Sequence, residues 1–214
     1  MTSKRKILDV TVTLSESLLI WPGDPPTKIT QSLIEEEGET ITVSHLSFGV
    51  HTGTHVDAPA HFIPGAPLVE SLDLDLLIGE AAVVDMAEAD TISADLLEKI
   101  NLPPGTKRVL FRTKNSQRWA EDANSFAEDY VGITDDGAKW LVTRGVRVIG
   151  TDYLSVASMK ENVSAHMTLL TAGVILIEAL NLYDIPPGIY ELICLPLKIG
   201  GVEGAPARVV LLDS

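Results

Sequence analysis

The chain has 214 residues, and 16 Lys and Arg against 30 Asp and Glu give it a formal charge of −14 at pH 7. That sign excludes the Lys/Arg-rich face needed to hold a nucleic-acid backbone, and it disfavours an anionic membrane surface. A single cysteine, Cys194, rules out an internal disulfide and any cysteine-based zinc site, and it fits a reduced, cytoplasmic setting. At this length one domain over residues 1–214, with a sizeable core, is the expectation.

In chain order, residues 1–6 are basic, and residues 8–14 alternate apolar and polar. That reads as a half-buried strand rather than a secretory core. Residues 81–86 form the next strand. A helix is expected over residues 93–100, with Leu96, Leu97 and Ile100 as its stripe and Pro103-Pro104-Gly105 beyond it. Strand 108–111 follows. Residues 118–131 are acidic and aperiodic, yet carry Trp119, Phe126 and Tyr130. They read as a surface excursion pinned by its aromatics, or as a lid or subunit-contact loop. Thr134 caps a second helix with Asp135 and Asp136 in its first turn and Gly145 at its end. Strands 146–149, 174–177, 190–195 and 208–212 complete the set, with a short helix over 166–170. No linker or repeat divides the chain. The apolar run 172–182 is interrupted by Glu178 and is too short to span a bilayer. Strands interleaved with few helices imply an α/β fold built on a mixed sheet.

The chemistry concentrates in residues 51–61, which hold His51, His55, Asp57 and His61. All four stand at odd positions. On an extended chain His51, His55 and Asp57 would therefore share a face and could converge on one point. Gly53, the β-branched residues between them and Pro59 make a helix unfavourable there. Neutral imidazoles with a carboxylate form an N/O site suited to zinc, manganese or iron, and three protein ligands leave a position open for water. Another imidazole nearby can move protons at neutral pH. One histidine in a turn is usually just hydrogen-bonded; four clustered ligands call for a divalent metal.

Glu178 stands in what reads as a core strand, where a carboxylate must be paired, protonated or metal-bound. His166 lies twelve positions earlier. Together they could supply ligands for a second metal beside the first. Other candidates have plainer explanations. His45 reads as a strand histidine, Asp152 and Ser155 as a turn pair, and Cys194 as core. No dinucleotide fingerprint, P-loop or serine nucleophile elbow is present.

The run His51-x-Gly53-Thr54-His55-x-Asp57-x-Pro59-x-His61 resembles the signature of the cyclase-like amidohydrolases, a family that includes bacterial kynurenine formamidases. Trp21-Pro22-Gly23-Asp24, residues 145–152 with Ser155, and residues 190–211 are similar to further parts of that family, so the resemblance covers nearly the whole chain. It implies a swivelling β/β/α fold in a single domain, usually dimeric or tetrameric. It further implies that His51, His55 and Asp57 hold one metal and that Asp57, His166 and Glu178 hold a second, with Asp57 and Glu178 bridging. His61 would donate and accept the proton, and Trp21 would line the substrate pocket. Relatives such as isatin hydrolases hold one metal with the first three ligands, so one or two ions per subunit are implied, zinc first and manganese as the alternative. The chain departs from the formamidase pattern at Pro25-Pro26, where a Pro-Phe pair is usual, and in the length of residues 118–131.

The expected function is metal-dependent hydrolysis of an amide C–N bond, N-formylkynurenine to kynurenine and formate, with a small-molecule substrate and a homodimer or homotetramer as the working form. An isatin-type lactam or cyclic-imide hydrolase is the rival within the same chemistry. A metal-holding protein without catalysis is the rival from another class.

Overall fold

A computed structural model of the protein describes residues 5–100, 102–121 and 125–213; the basic residues 1–4 and positions 122–124 of the aromatic-bearing excursion lie outside the described residues. The elements in order are β1 (Ile7–Asp9), β2 (Lys28–Glu36), β3 (Glu39–Ser47), β4 (His55–Asp57), α1 (Leu74–Leu77), β5 (Ile78–Met86), α2 (Ala94–Leu97), β6 (Arg108–Thr113), α3 (Ser116–Ala120), α4 (Asp135–Thr143), β7 (Val148–Thr151), α5 (Asn162–Thr171), β8 (Ile175–Glu178), β9 (Gly188–Pro196) and β10 (Gly204–Asp213).

The short β-branched runs become strands because both of their faces are covered. Val148, Leu110, Ile175 and Ile177 pack with Val56, Leu192, Val209 and the buried Cys194 inside the sheet. Their alternates Val109, Phe111, Ile149 and Leu176 pack outward against Leu97, Leu141 and Leu169 of the helices. Continuous apolar runs suit strands buried on both sides. Strands β5, β6, β7 and β8 run parallel. β8 then pairs antiparallel with β4, β4 with β10, β10 with β9 and β9 with β5. The mixed sheet thus closes into a barrel-like ring, with β1 added on β10. This is the mixed α/β arrangement with few helices that the sequence implied.

Local differences have local causes. The expected strand 8–14 breaks after Asp9, with Thr11 making only an isolated bridge to Leu180. Ser93 and Thr134 cap their helices as read, but α2 ends at Leu97, where the following amides tighten onto carbonyls three residues back. The helix around His166 is longer than expected and starts at Asn162. The β2–β3 hairpin, turning through Glu37-Gly38 with positive φ at both, was not anticipated beyond the strand placed at His45. It is a two-stranded ribbon that pairs with no other strand and exposes Leu33, Ile34, Ile41, Val43 and Leu46.

Candidate metal centre

β4 is three residues long and wholly buried. Its pleat sends Val56 into the barrel interior and turns His55 and Asp57 to the opposite face. The register sets His55 directly opposite Glu178 of β8, and residues so opposed share a face. β8 stops at Glu178 because Ala179 takes a left-handed conformation (φ 53°), unusual for a residue with a side chain. Ala179 is held there by its N–H donating to Tyr153 O at 2.7 Å and by the Thr54 hydroxyl donating to its carbonyl at 2.6 Å. A strained residue beside Glu178 is the kind of feature that clusters at functional sites.

His51 reaches the same point by another route than the one expected. Residues 50–54 are a turn, not a strand, closed by Thr52 N–H donating to Gly49 O at 3.1 Å, with Gly53 at φ 69°. The alternation argument therefore holds for His55 and Asp57 only; the turn folds His51 back so that its Nδ1 lies 2.8 Å from Asp57 Oδ1. Its ring lies against Gly204 of β10, where a Cβ would stand 2.7 Å from His51 Cε1, so only glycine leaves that cradle open. His61 ends a short 3₁₀ turn started by Pro59, and its ring lies 4.0 Å from that of His51.

Two imidazoles are aimed by carbonyl acceptors. His55 Nδ1 donates to Gly53 O at 2.8 Å, which turns Nε2 toward Asp57 and Glu178, each 3.3 Å away. His166 Nδ1 donates to Asn162 O at 2.7 Å, leaving Nε2 at 3.4 Å from Glu178 Oε1 and 4.0 Å from Asp57 Oδ2. Such outer hydrogen bonds are how metal-binding histidines are oriented. Phe62 stacks on the His166 ring at 4.5 Å.

The electrostatics describe a site short of positive charge. Burial works hardest against an ionised Asp57, yet the hydrogen bond with His51 and the facing His55 imidazole hold its carboxyl well below the usual range. Glu178 is raised by burial and by Asp57, but the hydrogen bond with His166 and the facing His55 imidazole outweigh both. Burial also opposes charge on His55, while Asp57 and Glu178 overcome it and push its pKa up to about 10. His51 and His166 are raised in the same way. His61 behaves oppositely: burial, its largest influence, keeps it below its ordinary 6.5. The buried polar atoms His51 Nε2, His55 Nε2 and Asp57 Oδ2 have no hydrogen-bond partner among the described residues. Two ionised carboxylates, oriented imidazoles and orphaned buried nitrogen and oxygen atoms fit a divalent cation. Among the described residues two sets lie close enough to hold one, His55 with Asp57 and Glu178, and His51 with Asp57 and His61. The second set includes His61 and neither includes His166, a different grouping from the one the resemblance implied.

Above these groups lies a cavity of about 260 Å³, walled by Trp21, Leu154 and Phe62 and by the polar side chains of Asp24, Ser155 and Asn162. Trp21 packs edge-on against Phe126 at 5.0 Å and Tyr130 at 6.5 Å. Trp119, Phe126 and Tyr130 of the excursion therefore buttress the cavity wall, packing with Tyr153 and Leu154. Asp152 anchors that excursion. Its buried carboxylate accepts from Thr113 N–H and hydroxyl (2.6 and 2.8 Å) and from Ser116 N–H and hydroxyl (3.1 and 2.7 Å). Its carbonyl accepts from Trp119 Nε1 at 2.9 Å. Sequence reasoning set Ser155 aside and did not single out Asn162, Phe62 or Asp24. His45 lies exposed on the ribbon, away from the site.

Comparison with known proteins gives the chain a family. The family model described as "Putative cyclase" matches residues 8–158. "Cyclase-like protein 3" of Oryza sativa subsp. japonica is 40% identical over 97% of this chain and 80% of its own length. "Kynurenine formamidase" of Bacillus thuringiensis (strain Al Hakam) is 34% identical over 95% of this chain and 96% of its own. Among solved structures, a "predicted metal-dependent hydrolase from Bacillus stearothermophilus" superposes with a TM-score of 0.84 at 34% identity, covering 99% of this chain and 100% of that one. Isatin hydrolase A from Ralstonia solanacearum superposes with a TM-score of 0.83 at 29% identity, covering 98% and 92%. With a family model matched over most of its length and relatives this similar, the chain belongs to the cyclase family.

Proposed function

We propose that the protein is a metal-dependent hydrolase of an amide C–N bond, with N-formylkynurenine as substrate and kynurenine and formate as products. The observation that carries this reading is the buried convergence of His51, His55, Asp57, His166 and Glu178 beneath an aromatic-walled cavity. In this reading His51, His55 and Asp57 hold one ion and Asp57, His166 and Glu178 a second, with zinc or manganese as the metal. When bound, a divalent cation supplies Lewis acidity and lowers the pKa of water to about 7. His61 lines the cavity and, with burial holding its pKa below 6.5, is neutral at pH 7 and ready to accept a proton. It then returns that proton to the departing aryl amine nitrogen. Trp21 offers a flat apolar face to the aryl ring.

The relative named kynurenine formamidase supports the formyl-amide substrate. One observation favours a second reading, a cyclic amide of the isatin type. The cavity, at about 260 Å³, lies below the roughly 300–1,000 Å³ usual for ligand pockets, which suits a compact bicyclic substrate. The isatin hydrolase likeness points the same way. Side-by-side turnover of N-formylkynurenine and isatin by the metal-loaded protein separates the two; a metal-replete protein inert toward both would leave only metal binding. The working form in this reading is a homodimer or homotetramer, which the exposed apolar ribbon supports.

A further inference from the structure

The turn at residues 21–24 delivers two side chains to the cavity at once. Pro22 fixes φ, Gly23 takes φ 99°, and Asp24 N–H donates to Trp21 O at 3.1 Å, so Trp21 and Asp24 leave one tight turn together. Both line the cavity, Asp24 half-buried. The carboxylates nearest the candidate metal, Asp57 and Glu178, are matched by imidazoles. Asp24 is not: no described side chain forms a hydrogen bond or ion pair with its carboxylate. Nor does any Lys or Arg stand among the described residues that wall the cavity. Apart from the ligands that a metal would neutralise, the wall therefore carries one fixed charge, and it is negative.

We infer that Asp24 is a specificity-determining residue that selects aryl amides bearing an ammonium group over those without one. An aromatic face with a carboxylate beside it is the complement of an aromatic ring carrying a cationic amine. N-formylkynurenine carries such an amine on the chain ortho to its formamide, whereas isatin carries none. The inference rests on the amide-hydrolase reading, and it names the charge class that this site accepts.

Binding and turnover test it separately. Calorimetric titration of the metal-loaded protein at pH 7 with benzylammonium and with benzyl alcohol should show the cation binding about tenfold more tightly. Asp24→Asn should bring the two within about twofold, and Asp24→Glu should restore most of the gap. Equal affinities in the unaltered protein, or a gap that survives Asp24→Asn, would overturn the assignment. In turnover, formanilide is compared with a formanilide carrying an ortho aminoethyl ketone chain. The ammonium substrate should lead by about tenfold in kcat/KM, mostly through KM, with the lead lost in Asp24→Asn. Inactivity toward both formanilides would sink the amide-hydrolase reading, while the binding ratio still decides the role of Asp24.

Discussion

His61 is the residue on which two roles converge. It sits with His51 and Asp57 in a set that could hold a cation, and it also lines the cavity. As the proton carrier, His61→Ala should lower kcat by at least about 100-fold, with bound metal, read by elemental analysis, unchanged. Loss of one ion per chain would make it a ligand instead. The buried charges make a second forecast. His55 is raised above its unfolded value, so its contribution to stability is complete below pH 6.5 and is lost as pH rises toward about 10. Asp57 and Glu178 are lowered, so their contribution is lost as pH falls below the carboxylate range. Chelator-treated protein should thus melt lower at pH 9 than at pH 6, by on the order of 5 °C or more, and bound metal should flatten that slope by replacing the His55 proton. The cluster was noticeable in the sequence because four ligand-capable side chains in eleven positions are hard to explain otherwise. Asp24 was not, because an aspartate after Pro-Gly looks like any turn residue. Phe62 stacks on a ring 104 positions away, a relation with no local pattern.

At the scale of elements, the strands were readable where both faces are buried, since such segments must be short, apolar and β-branched. The β2–β3 ribbon escaped because its apolar residues stand among threonines, serines and glutamates on an exposed surface. The link from β7 to the excursion was likewise hidden: Asp152 and Ser155 look like a turn pair, yet Asp152 gathers the turn after β6 around one buried carboxylate. Asn115 extends that hold to the far end of the excursion, its side chain donating to Val131 O at 2.9 Å and accepting from Val131 N–H at 3.0 Å. Asp152→Ala would strand several buried donors at once. It should cost about 3 kcal/mol in chemical denaturation and, by loosening Trp119, Phe126 and Tyr130 behind Trp21, raise KM, while metal content holds.

For the whole molecule, an isolated two-stranded ribbon with exposed leucine, isoleucine and valine is marginally stable in water by itself. Its cover in a homodimer or homotetramer is part of the functional reading above. Light scattering should give a mass two or four times that of one chain. Val43→Glu, which places a charge on the exposed ribbon away from the metal centre, should shift that mass downward; a monomer in the unaltered protein would remove this part of the reading.

The closure of the sheet has a bearing on biosynthesis. β4 carries His55 and Asp57, but its neighbours are β8 and β10, so the two ligands gain their strand partners only after residues 175–178 and 204–206 have been translated. At about 5–20 residues per second that delay is on the order of ten seconds. In the hydrolase reading, an ion should thus be captured after the ring closes rather than when the residues that would hold it are made.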